Sequence, residues 1–404
     1  MTDKKRVVVT GIGIVNPSGI GKDQFWQNMT EGRSAIKAID RFDTTEFPTK
    51  VAGAISDFQP GDFIPRRLIV KTDRFTHYAL AASDLALADA NLDLEAEDSY
   101  RVGVWFGNNA GGWDICERGF HELYNDGATL VNPWQATAWF PTAAQGYVTI
   151  RYGIRGYSKS FVCDRASGAS GLYFGVKSIQ QGHNDVVLTG GSEAPITRFG
   201  MVCYYETGEI SAASDPDKAY QPFDRERSGI VLGEGSTVLV LESEEHALAR
   251  GAKIYGEITS GSMTTDISPN EGIQLKRAMN IALKGANLSP SDIDVVFAEG
   301  CGTQTGDRLE SEAISSVFGE TATNVPVTVP KSLFGHLYGA SCTTEVACSL
   351  MAMETGTLPV MQSVNPDQNC QLNFVTQAQS ASVSRTLVNS RAREGVNASF
   401  VISK

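Results

Sequence analysis

The sequence predicts an α/β protein made of two related halves, each built on a mixed β-sheet. Three observations carry this. Short apolar runs bounded by glycine recur as strands buried on both faces, at residues 6–15, 101–106, 185–189 and 236–241. Helical apolar periods fall between them, around residues 22–31 and 75–90. A hydrophobic strand running into a glycine-rich turn occurs twice, as RVGVWFGNNAGG at 101–112 and as DVVFAEGCG at 294–302.

Taken in order, residues 6–15 form a strand that stops at Asn16-Pro17, and a helix follows over 22–31. The strand at 101–106 enters Gly-Asn-Asn-Ala-Gly-Gly, where small residues allow close backbone approach. DVVLT at 185–189 leads into Gly190 and Gly191, and STVLVL at 236–241 closes the first half. The second half restarts with a strand at 252–258, an amphipathic stretch at 274–286 and the strand at 294–298. The divide is expected near residue 250, giving halves 1–250 and 251–404. No Pro/Ser-rich linker separates them, so they should pack as one body.

With 404 residues, 42% hydrophobic and 20% charged, the chain can bury an extensive core. Its formal charge of -12 argues against nucleic acid or an anionic membrane, both of which need clustered Lys and Arg. No apolar run is long enough for a bilayer, and the lead MTDKK passes directly into a strand without a signal-peptide pattern, so a cytoplasmic protein is expected. Seven cysteines (Cys116, Cys163, Cys203, Cys301, Cys342, Cys348, Cys370) form no CxxC pair, which points to reduced thiols and to neither disulfides nor a zinc site.

The block YQPFDRERSGIVLGEG at 220–235 and its continuation to residue 255 resemble the glycine-rich block of β-ketoacyl synthases. VTGIGIV at 9–15, GGSE at 190–193 and KSLFGHLYGA at 331–340 are similar to that family in the same order, so the resemblance spans nearly the whole chain. It implies the thiolase-like fold, five layers αβαβα from two duplicated halves. In a catalytic member a cysteine sits at a strand-to-helix turn, where the helix N-terminus favours its thiolate. Counting back from Gly190 and Gly191 places Arg165 at that position, in FVCDRASG at 161–168. A guanidinium cannot attack a thioester.

Two histidines normally stabilise the carbanion and oxyanion. The resemblance places Glu299 at the first, where a carboxylate would repel developing negative charge, and retains the second as His336, with Lys331 before it and Glu345 after it. The aromatic gate of ketosynthases is replaced by NSRAREGVN at 389–397, with Arg391 and Arg393 in place of phenylalanines. Arg165, Glu299, Arg391 and Arg393 are therefore expected to form a charged cluster, with Glu299 neutralising Arg165. No catalytic set is intact.

The contexts Asp164-Arg165-Ala166 and Glu299-Gly300 resemble chain length factors, the ketosynthase-β subunits of type II polyketide synthases, except that those carry glutamine where Arg165 stands. The resemblance implies a heterodimer with a catalytic ketosynthase, in which this chain shapes the tunnel for a poly-β-ketoacyl chain. An acyl carrier protein would deliver substrate on phosphopantetheine, with no metal or redox cofactor. The acidic surface predicts that this carrier docks mainly on the other subunit. Trp113, Cys116, Phe120, Trp134, Trp139 and Phe140 lie in the stretch that lines the interface and tunnel in such dimers; otherwise they are core.

Other readings stay open at this stage. Cys163 is either a rescuing nucleophile or a free thiol that faces the opposite side of the strand end or fills core, and Cys301 is a small packing residue or reactive. His336 and Lys331 either bind a malonyl carboxylate or persist as a satisfied hydrogen-bond pair. The chain as a whole could also be a malonyl-carrier decarboxylase or a divergent ketosynthase acting alone.

Overall fold

The computed structural model describes residues 5–268, 272–362 and 364–404, so most of the charged N-terminal lead lies outside it. The longer strands of the first half are β1 (Val7–Asn16), β2 (Val102–Gly107), β3 (Lys159–Phe161), β4 (Val186–Glu193) and β5 (Gly235–Ser243). The second half contributes β6 (Gly256–Thr265), β7 (Val295–Phe297), β8 (Pro326–Thr328), β9 (Asn373–Phe374), β10 (Arg385–Arg391) and β11 (Val396–Ser403).

Their order shows the duplication. The first sheet runs β3-β2-β4-β5-β1 and the second β8-β7-β10-β11-β6, with β9 added beyond β8. In each half the first three positions pair in parallel and the last three antiparallel, so both sheets are mixed. Val8 and Val9 of β1 pair with Glu257 and Gly256 of β6, joining the two sheets edge to edge.

The helices that position the site are α1 (Lys22–Glu31), α2 (Arg74–Asp89), α3 (Trp113–His121), α4 (Ala143–Tyr152), α5 (Ser167–Gln180), α6 (Arg198–Tyr205), α7 (Ile273–Gly285), α8 (Gln304–Phe318) and α9 (Ser341–Thr355). Helices α5 and α9 are buried along nearly their whole length and lie between the two sheets. A helix covered on most sides can be largely apolar or small-residue, and both are, with Lys177 and Gln180 towards the end of α5 and the buried Glu345 of α9 as exceptions. Helices α2 and α4 cover the outer face of the first sheet, and α7 and α8 that of the second. The result is the five-layer αβαβα order.

Glycines set the spacing of these layers where side chains would collide. A Cβ at Gly13 of β1 would lie 1.9 Å from the Ala82 carbonyl of α2, so α2 sits directly on the strand through its alanine face. A Cβ at Gly107 would lie 1.9 Å from the Ser167 carbonyl carbon, which seats the first turn of α5 on the end of β2.

The strands at 186–193 and 256–265 depart from the expected spans of 185–189 and 252–258. In β4 the glycines and polar residues at 190–193 remain in register with β5 on one side, and Gly190 and Gly191 with β2 on the other. Pairing on both edges outweighs their low strand propensity. The polar end of β6 is held in the same way by β11.

Candidate functional site

Three chain segments meet where β3 and β7 end and α5 begins. The first is the turn between β3 and α5. Asp164 takes φ +49°, an αL conformation that aspartate tolerates better than most residues. The Cys163 N–H donates to Ser167 Oγ and the Ser167 N–H to the Asp164 carbonyl, folding the chain back so that Arg165 points into the protein with 4% exposure. Its Nε donates to the Arg391 carbonyl at 3.1 Å and its Nη1 to Glu209 at 3.3 Å. Asp164 lies 3.6 Å away and Glu299 4.0 Å. A cation at the positive end of a helix is unfavourable, and these carboxylates offset it. Burial lowers the guanidinium pKa, but Asp164, Glu209 and Glu299 outweigh burial, so Arg165 stays charged.

The second segment follows β7. The backbone N–H groups of Glu299 and Gly300 donate to the Glu310 carboxylate at 2.8 Å each, and Gly300 takes φ +53°. This turn aims the buried Glu299 side chain at the third segment. There, Gly335 at φ +87° lets residues 335–336 lie against residues 232–233, with the His336 N–H donating to the Val231 carbonyl and the Gly233 N–H to the His336 carbonyl. The glycine-rich block at 229–235 is thus a backbone cradle for His336 as well as a turn beside the pocket.

His336 Nδ1 accepts from the Tyr338 backbone N–H at 2.9 Å, which fixes the ring proton on Nε2. That proton is donated to Glu299 Oε1 at 2.7 Å. Burial pushes His336 down to about 4, so the ring is neutral at working pH. Lys331 Nζ donates to the Glu299 carbonyl at 2.6 Å, lies 3.5 Å from its carboxylate, and pairs with Glu345 at 2.6 Å. Burial opposes the charge on Glu299, yet Lys331, His336 and Arg165 pull its carboxyl down to about 2.

The expected cluster is corrected here in three respects. Glu299 is committed first to His336 and Lys331, and the carboxylate nearest Arg165 is Glu209, which no sequence motif marks. Histidine and lysine are not a hydrogen-bonded pair; they meet through Glu299. Arg391 pairs at 3.6 Å with Asp266, while the Arg393 side chain stands exposed at the rim and its backbone N–H donates to Asp164. Arg165, Glu209, Glu299, Arg391 and Arg393 line one cleft of about 470 Å³.

Cys163 does not fill core: it is partly exposed and lines a neighbouring cleft of about 430 Å³ with Tyr204, Glu209 and Arg393. Cys301 is buried, its sulfur 3.1 Å from Thr303 Oγ1, and burial pushes its thiol up to about 12. A thiol so protonated is no nucleophile at neutral pH. Neither does His336 have a free N–H to polarise a thioester carbonyl, because Glu299 accepts it. The cluster holds itself charged, and its one imidazole is already committed to Glu299.

The six aromatic-region residues divide into two places. Trp113 and Phe120 both pack on Phe199 of α6, with ring centroids 5.2 and 5.3 Å apart, and Cys116 lies between them on α3. Trp113 also meets Tyr204, which packs on Tyr338 beside the His336 ring, so an aromatic column leads from the buried cluster to the surface. Trp139 stacks on Phe140 at 4.6 Å, and Trp134 lies under the Lys71 ammonium at 4.7 Å. Phe199 and Tyr204 carry no sequence motif, and Tyr338 lies in the block at 331–340 without a pattern that marks its ring contacts. Among the described residues no His, Cys, Asp and Glu group could hold a metal ion, and no helix is long and apolar enough to cross a membrane.

Comparison with known proteins matches this geometry to a family. Residues 4–247 match the β-ketoacyl synthase N-terminal domain and residues 252–365 its C-terminal domain. The tetracenomycin polyketide synthase ketoacyl synthase beta subunit of Streptomyces glaucescens is 36% identical, covering 98% of each chain. The 3-oxoacyl-[acyl-carrier-protein] synthase 2 of Staphylococcus aureus (strain COL) is 35% identical, covering 100% of this chain and 99% of its own. Among solved structures, the ishigamide ketosynthase/chain length factor superposes with a TM-score of 0.88 at 28% identity, covering 99% of both chains. With both domains matched in order and the five-layer duplicated fold in place, this chain belongs to the β-ketoacyl synthase family.

Proposed function

We propose that this chain is a chain length factor: a non-condensing subunit that pairs with a catalytic ketosynthase and walls the tunnel in which a poly-β-ketoacyl chain grows. Identity alone does not separate it from condensing relatives, since 36% and 35% are equivalent. The observation that carries the proposal is the Arg165–Glu299–His336 arrangement. Where the family keeps a thiolate and two free imidazoles, this chain has a guanidinium, a carboxylate charged down to about 2 and one imidazole already hydrogen-bonded to it.

On this reading Arg165 occupies the nucleophile position and Glu299 the first-histidine position, while Lys331 and His336 persist because they anchor Glu299. Halves 1–250 and 251–404 both serve as scaffold. The partner supplies the cysteine and both histidines, and an acyl carrier protein brings malonyl and growing acyl groups on its phosphopantetheine thiol. The partner's thiolate takes the acyl group and frees the carrier's thiol; loss of CO₂ from the malonyl thioester then gives the carbanion that attacks the acyl carbonyl and expels the thiolate. Nothing in that chemistry calls for a metal or redox cofactor, and it runs in the cytoplasm.

Trp113, Cys116 and Phe120, set at i, i+3 and i+7 on α3, form one stripe of the proposed tunnel wall, with Trp134, Trp139 and Phe140 nearby in the chain. Phe120, Trp139, Phe140, Phe199 and Val202 are exposed large apolar side chains, a surface that a partner subunit would cover. Co-expression with a catalytic ketosynthase tests the proposal. A one-to-one complex should form, and Trp113→Ala should lengthen its product by at least one extender unit. An unchanged product would remove α3 from the wall.

A further inference from the structure

Helix α3 does not cap its own N-terminus. Its N-cap position is Gly112, which has no side chain to offer. The missing acceptor comes from 42 residues away: Asp73 Oδ2 accepts the Ile115 N–H, the third residue of α3, at 2.8 Å. Asp73 Oδ1 accepts the Phe75 N–H at 3.3 Å, so the same carboxylate is the N-cap of α2. One carboxylate, 1% exposed, therefore ties the first turn of α3 to the first turn of a core helix.

The approach is close enough to dictate the neighbouring residue. A Cβ on Gly112 would lie 3.0 Å from Asp73 Cβ and 2.5 Å from the Ala138 carbonyl oxygen. Farther along α3, the Gln135 amide donates to the Ile115 carbonyl, and the Glu117 carboxylate accepts the Phe199 N–H of α6 at 2.9 Å. Helix α3 is thus hung from Asp73, steadied by Gln135 and linked to Phe199. Its stripe of Trp113, Cys116 and Phe120 stands at a depth that these ties define.

Burial pushes the Asp73 carboxyl up to about 7 against the pull of the Ile115 N–H. For an acid, a raised folded-state pKa means that stability falls as pH rises above the ordinary carboxylate value. A group with that penalty is a poor choice for stability alone, since a serine would cap α2 without it.

We propose that Asp73 is a positioning residue for product length: by capping α2 and α3 together it sets the depth of the aromatic wall and so where chain growth stops. This rests on the chain-length reading above and names the residue that acts through its wall. Truncating Trp113 changes the wall itself; changing Asp73 moves a wall whose side chains are intact.

The test uses the reconstituted complex of this chain with a catalytic ketosynthase and malonyl-carrier. Asp73→Ser keeps a hydroxyl cap for α2 but cannot span to Ile115. Total malonyl consumption should stay within about twofold of wild type, while the product distribution broadens or shifts by one or more extender units. Amide exchange at Ile115 should quicken by about tenfold or more, with exchange inside α2 unchanged. If Asp73→Ser does not fold, Asp73→Asn is read in the same way, because its single carbonyl oxygen serves only one of the two N–H groups. Trp113→Ala runs in parallel. A shifted distribution for Trp113→Ala with an unchanged one for the Asp73 variant overturns this inference and leaves the chain-length reading intact. An unchanged distribution for Trp113→Ala removes α3 from the wall and overturns this inference with it.

Discussion

Glu299 holds three partners at once, His336 at 2.7 Å, Lys331 at 3.5 Å and Arg165 at 4.0 Å, and removing its charge leaves two buried cations short of a counter-ion. A buried pair broken on one side loses about 3–5 kcal/mol, far more than a surface bridge. Glu299→Gln is therefore expected to lower unfolding free energy by about that amount in urea denaturation. A loss below about 1 kcal/mol would mean that solvent reaches the cluster. Because Lys331, His336 and Arg165 hold the Glu299 carboxyl down to about 2 and burial holds His336 down to about 4, neither group should change charge between about pH 5 and 8, whereas the neighbouring Glu310 carboxyl, pushed by burial up to about 7, should. Arg165, Glu299 and His336 were legible in the sequence because ordered motifs fix their spacing. Glu209 was not: it reaches Arg165 only because the chain after α6 folds back across the cleft, and no local pattern specifies that return. Asp73 was hidden for a related reason, since its second acceptor role depends on a helix 42 residues away.

Among the elements, the strands and helices that carry strong apolar periods were legible to within a residue or so, as with β1 at 7–16 and α7 at 273–285. The miss at the start of β6 is instructive. Residues 252–255 are apolar enough to read as strand, yet pairing with β1 begins only at Gly256, and the polar residues that follow are strand because β11 binds them. Tertiary pairing decided the boundary where propensity was weak. Glycine positions make the sharpest prediction at this scale. Gly107→Ala places a Cβ 1.9 Å from the Ser167 carbonyl carbon, a backbone atom in the first turn of α5. Overpacking of this kind costs about 1–3 kcal/mol or more. The variant should show a lower melting temperature and poor soluble yield, and wild-type melting would mean that α5 can shift freely.

For the whole molecule, two half-domains of the same strand order enclose α5 and α9 and direct three turns into one place. The same scaffold serves condensing relatives, so function here depends on which side chains those turns carry rather than on the fold. Chain length control, as proposed, belongs to a surface only partly visible in one chain: the column from His336 through Tyr338, Tyr204 and Trp113 to Phe199 and Phe120 ends in exposed aromatic rings. The most direct measurement is malonyl-carrier turnover by this chain alone, by a catalytic ketosynthase alone and by the two together. The account predicts no condensation and no decarboxylation from this chain alone, and a product of defined length only from the pair; carbon–carbon bond formation or CO₂ release by this chain alone would contradict it.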